Sequence, residues 1–136
     1  MQSMLKVLAA LLLALATCAA HARSAELVDP PPIAVPAGFG QAQVASEIRR
    51  ALAGRGWAVS QERPGEIQAT LYLRGHEVRI ALRHDAQAVR IAYLASANLD
   101  YEEAEGKRWI HSNYLGWIGF LAGDIETNLR AAHANP

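Results

Sequence analysis

Cysteine is all but missing from these 136 residues: the one thiol is Cys18, close to the N-terminus. A lone thiol closes no intrachain disulfide, so the fold must be held by an ordinary apolar core. An excess of either charge is missing too, with 13 lysines and arginines against 13 aspartates and glutamates. Nucleic-acid binders and proteins of anionic membrane surfaces carry a basic excess, so neither class of partner is expected. Metal-ligand spacing is absent: the sequence holds no H-x-H, no H-E-x-x-H and no cysteine pair. No metal or other cofactor is expected. Internal repeats are lacking, and the only low-complexity stretch is a short proline cluster. Long apolar runs are lacking as well, except for Val7 to Ala16. Ten residues are about half of the roughly 20 that a helix needs to cross a bilayer.

That run reads as an export signal. Lys6 precedes it, and Ala20-His21-Ala22 offers an A-x-A cleavage site. Residues 1–22 are expected to be removed, leaving a soluble periplasmic protein that begins at Arg23. The alternative is a lipid anchor, because Leu15-Ala16-Thr17-Cys18 resembles a bacterial lipobox. Lipidation at Cys18 would make the membrane a partner and would turn residues 19–36 into a spacer. Cleavage after Ala22 leaves 114 residues, enough for one domain that buries about 65% of its unfolded surface.

Residues 23–40 contain Pro30, Pro31, Pro32 and Pro36, and read as a tether or as an arm packed through Ile33, Val35 and Phe39. A single domain follows over residues 41–132, with a short tail at 133–136. Val44, Ile48, Ala51 and Leu52 make one helical stripe, stopped by Gly54 and Gly56. The period then changes to two. Strands are expected around Trp57–Ser60, Ile67–Arg74, Val78–Arg83 and Val89–Leu94, with turns at Arg63-Pro64-Gly65, Gly75 and Asp85-Ala86-Gln87. Helical spacing returns at Ile110, Tyr114, Trp117, Ile118, Leu121, Ile125 and Leu129, with Ser112 or Asn113 as the cap. The expected fold is α+β in two layers, a four-stranded antiparallel meander with an N-terminal and a C-terminal helix on one face (α-β-β-β-β-α).

The stretch Tyr93 to Tyr101, then Ile110-His111-Ser112-Asn113-Tyr114 and Trp117-Ile118, together with Gly54-Arg55-Gly56-Trp57 and Pro64-Gly65, resembles a family of small proteobacterial envelope proteins. Its members are short and exported, and are often described as lipoproteins. The resemblance spans roughly residues 41–126. It implies an exported single-domain protein and carries no activity with it.

Two groups of side chains suggest chemistry. His111, with Asp100, Tyr101, Asn113 and Tyr114 near it in sequence, is a candidate ligand-binding centre, and Ser112 or Ser96 is a conceivable nucleophile. No G-x-S-x-G elbow accompanies these serines, so no catalytic residue is assigned. The plainer reading has His111 and Asn113 satisfying backbone groups at a helix start, while Tyr93, Tyr101, Tyr114 and Trp117 close the core. His76 and His84 lie about 27 Å apart along one strand, too far to share an ion. The acidic run Asp100 to Gly106 lacks the calcium-loop pattern. The second group is a candidate partner face. Strand parity puts Tyr72, Arg74, Arg79, Arg83, Arg90 and Leu94 opposite the apolar stripe, with Glu66 and Glu77 as its acids. Such a face suits an acidic surface met by guanidinium forks; cross-strand pairing under ordinary solvent is the plainer reading. The chain is therefore expected to be a non-catalytic envelope module, not an enzyme. It would bind an envelope protein or another copy of itself through this face or a sheet edge. The alternative is a small-ligand binder or weak hydrolase at His111, Asp100 and Tyr101.

Overall fold

Helix α1 (Gln41–Gly54) forms where the apolar stripe falls, and Val44, Ala45, Ile48, Ala51 and Leu52 are its buried residues. It ends in a Schellman motif. The Gly56 N–H donates to Ala53 O at 3.2 Å and the Trp57 N–H to Leu52 O at 3.0 Å. That closure needs a left-handed residue, and Gly56 supplies it at φ +79°. Trp57 then folds back into the core at 5% exposure.

The computed structural model describes residues 23–135; the expected signal, its expected cleavage site and Cys18 lie outside the described residues. Among the described residues eight strands accompany two helices. The arm holds β1 (Ser24–Glu26) and β2 (Ile33–Ala34), ahead of α1. The meander follows as β3 (Ala58–Arg63), β4 (Glu66–Leu73), β5 (His76–His84) and β6 (Ala88–Ala97). A hairpin of β7 (Glu102–Ala104) and β8 (Lys107–His111) leads into α2 (Ser112–Ala134). The fold is α+β with two antiparallel sheets, ordered β2-β6-β5-β4-β3 and β1-β8-β7.

The single four-stranded meander therefore needs correction. The meander exists, but β2 extends it to five strands and a three-stranded sheet stands beside it. Those additions are strands of two to five residues, too short to show a period of two. The arm is docked, with Leu27, Ile33, Val35 and Phe39 at 3–9% exposure. A spacer reaching residue 36 is thereby corrected too, since β1 pairs with β8 from Ser24 onward. Among the described residues no helix is long and apolar enough to cross a membrane.

Turn chemistry sets the register of the meander. Gly65 at φ +82° follows Pro64, and Arg74-Gly75 takes left-handed values at both positions, 51° and 80°. The Asp85 carboxylate accepts from the N–H groups of Gln87 and Ala88 at 2.8 and 2.9 Å, closing the third turn. Ile67, Ala69, Leu71, Val78, Ile80, Leu82, Val89 and Ile91 form one core with the inner faces of both helices. Bidentate Arg55–Asp124 contacts and the bond from Asn128 to Glu47 O tie the helices together.

Candidate functional site

The far face of the five-stranded sheet contributes little to that core. Cross-strand register builds one row across it, Arg63–Glu66–Arg83–Arg90. Glu66 is only 7% exposed and is fully occupied. Its Oε1 accepts from Arg63 at 3.1 Å and from Gln68 at 3.0 Å, and its Oε2 accepts from Arg83 at 3.0 Å. The Gln68 amide first, then Arg63 and Arg83, hold its carboxyl below the usual range against the opposing effect of burial. The next residues along the face are small: Ala81 is fully covered and Thr70 is 5% exposed, although neither belongs to the main core cluster.

Arg90 lies directly opposite Arg83, and Arg79 stands four residues from Arg83 on β5, about 14 Å away. Both Arg79 and Arg90 are exposed, and neither has a carboxylate partner among the described residues. Tyr72 is 68% exposed and Leu94 37%. Leu94 occupies a bulge, since Arg79 pairs with Ala95 and Ile80 with Tyr93. Arg74 is not on this face: it is the first residue of the β4–β5 turn, where the strand has ended. Parity alone carried the strand one residue too far.

The β3 edge of this sheet is exposed along all six residues. A bulge between Val59 and Gln61 interrupts it, and Glu62 and Arg63 follow. Bulges and edge charges obstruct the addition of another strand.

Among the described residues no hydrogen bond joins the His111 ring to Asp100, Tyr101 or Ser96. The His111 ring caps α2, its Nδ1 accepting from the Asn113 N–H at 3.1 Å. The cap is therefore neither Ser112 nor Asn113, because β8 ends with the His111 ring aimed at the first turn. A ring whose Nδ1 accepts a backbone proton carries its own hydrogen on Nε2. Asp100, exposed at φ 52°, makes no hydrogen bond to this ring among the described residues. The Tyr101 hydroxyl donates to Glu103 at 2.9 Å, which raises its pKa. Tyr101 stacks on Tyr93 at 4.7 Å, and Tyr114 meets Tyr93 edge-on at 5.7 Å. Burial pushes the Tyr114 phenol well above its ordinary range. Ser96 is engaged by the Tyr93 hydroxyl at 2.7 Å.

The spacing of the chain did not foretell the neighbour that His111 acquires. His76 lies 6.3 Å from the His111 ring and 6.2 Å from Trp117. Its Nδ1 faces Asn98 O at 2.5 Å, so that nitrogen carries the hydrogen. Asn98 in turn donates to Gly75 O at 2.9 Å and adopts φ 59°. Residues 76 and 111 lie far apart in the chain and carry no shared motif. Coordination by both rings would require His111 to leave its cap, and among the described residues no three histidine, cysteine, aspartate or glutamate side chains cluster for a metal. Shallow depressions of about 330 and 290 Å³ lie at the β4–β5 and β7–β8 turns. The larger is lined by Tyr72, Arg74, His76, Glu77 and Asn98, and not by His111 or Tyr101.

The chain matches no protein-family model, no curated protein and no solved structure.

Proposed function

We propose that this protein is a non-catalytic cell-envelope module that docks an acidic protein surface on the open face of its five-stranded sheet. The observation that carries this reading is the pair Arg79 and Arg90, exposed and without a carboxylate among the described residues. Arg83 and Arg90 are direct cross-strand neighbours, an arrangement of like charges that costs a few tenths of a kcal/mol or more unless an anion lies between them. An incoming carboxylate relieves that cost and gains guanidinium hydrogen bonds. Exposed Tyr72 and Leu94 add apolar area beside the arginines. The interrupted and charged β3 edge favours the face over strand addition. The engaged rings and hydroxyls of His111, Tyr101 and Ser96 favour a structural part for them over catalysis.

A photo-crosslinking residue at position 72 tests the docking in intact envelopes. A defined adduct should form, and should disappear when Arg79→Ser and Arg90→Ser are added to a chain of unchanged melting temperature. An adduct that persists without both arginines, or no adduct at all, overturns the reading.

A further inference from the structure

Equal totals of acid and base conceal a segregation of charge. On the sheet face, Arg63 and Arg83 share Glu66, while Arg79 and Arg90 form no ion pair among the described residues. The β7–β8 hairpin is the reverse. Its two cations are already engaged by the arm, Lys107 with Glu26 and Arg108 with Asp29, each at 3.5 Å. Asp100, Glu102, Glu103 and Glu105 are all exposed and form no ion pair among the described residues.

Within one chain no ion pair joins the two groups among the described residues. Asn98 and Asp100 adopt left-handed values, 59° and 52°, and end the extended path of β6. The hairpin beyond them joins β1 in a separate sheet rather than continuing the five-stranded one. Its carboxylates therefore belong to a different sheet from the arginine face, and a second molecule can offer them to it.

We infer that the acidic surface taken by the open sheet face is the Asp100–Glu105 hairpin of a second copy of this chain. The inference rests on the docking reading and names its partner. Because the two patches differ, the contact is heterologous: each copy offers its arginine face to one neighbour and its hairpin to another. Attraction between exposed charges is screened beyond about 8 Å at physiological ionic strength, so the association is salt-sensitive.

Sedimentation velocity on the full chain, expressed with its own N-terminal segment and purified as processed, provides the test. The mass should rise with concentration in dilute salt, with an apparent Kd that weakens about tenfold or more by 0.3 M salt. Arg79→Ser with Arg90→Ser removes one patch; Asp100→Asn with Glu102→Gln and Glu105→Gln removes the other. Each variant alone should remain monomeric. Their equimolar mixture should form a 1:1 dimer and grow no further, since each supplies the one patch the other lacks. Association of either variant at wild-type strength overturns the inference, as does a mixture that stays monomeric. A wild-type chain that is monomeric throughout also overturns it. In that case the position-72 adduct separately decides whether the face docks a different protein.

Discussion

His111 shows how a reactive side chain is used when its geometry is backbone geometry. One ring nitrogen accepts from the Asn113 N–H, so His111→Ala should leave α2 without its cap. The expected loss is about 1 kcal/mol with the fold intact, a drop of roughly 3–5 °C in Tm. His111→Asn should recover most of it in thermal melts, which loss of a binding residue would not show. Tyr114 poses the opposite case. It is 2% exposed, and its hydroxyl has no hydrogen-bond partner among the described residues. A buried donor without a partner costs about 1–3 kcal/mol. Tyr114→Phe should therefore leave stability unchanged or raise it by up to about 1 kcal/mol, read from urea denaturation midpoints. The ring's edge-on contact with Tyr93 is kept in that variant.

At the scale of elements, α1 and the four meander strands were legible because each is long enough to display its period. The stop at Gly56 and the turns at Pro64-Gly65 and Arg74-Gly75 were legible through glycines, each at positive φ. The arm was ambiguous for a physical reason: three prolines in a row favour an extended path whether or not that path is docked. Docking depends on partners elsewhere, β8 for Ser24–Glu26 and β6 for Ile33–Ala34. Leu27, 3% exposed between these two strands, reports on it. Leu27→Ala should cost about 2–4 kcal/mol in chemical denaturation, whereas truncation in a free tether would cost nothing measurable. The same docking leaves only residues 19–23 between Cys18 and β1, so a lipidated form would hold its domain close to the membrane.

For the whole molecule, pH is the simplest probe of the assembled core. His84 is 7% exposed at the end of β5, and its Nδ1 has no partner among the described residues. Burial lowers its pKa; Glu62 and Asp85 act in the other direction, and Arg49 reinforces the lowering. The unfolded chain therefore binds a proton that the folded chain resists. Stability should be full above the ordinary imidazole value of about 6.5 and should fall as pH drops through it towards the lower folded value. Urea midpoints at pH 7.5 and 5.5 should differ less in His84→Gln than in the wild type. An unchanged difference would remove His84 as the cause. Below that window, the lowered carboxyls of Glu66, Asp85 and Asp124 add a second loss, as protonation removes acceptors that the fold uses.

The amino-acid sequence by itself determined what depends on neighbours along the chain. Apolar spacing set the faces of α1, α2 and the meander, glycine and proline set the turns, and a single cysteine ruled out a disulfide. Tertiary structure decided what depends on residues far apart. It brought His76 beside His111, assigned Glu66 to Arg63 and Arg83, left Arg79 and Arg90 without an ion pair among the described residues, and joined the acidic hairpin to β1 in a second sheet. The reason is physical: periodicity is a property of a segment, whereas pairing and the partner of a charge follow from register and chain reversal, which no local pattern encodes.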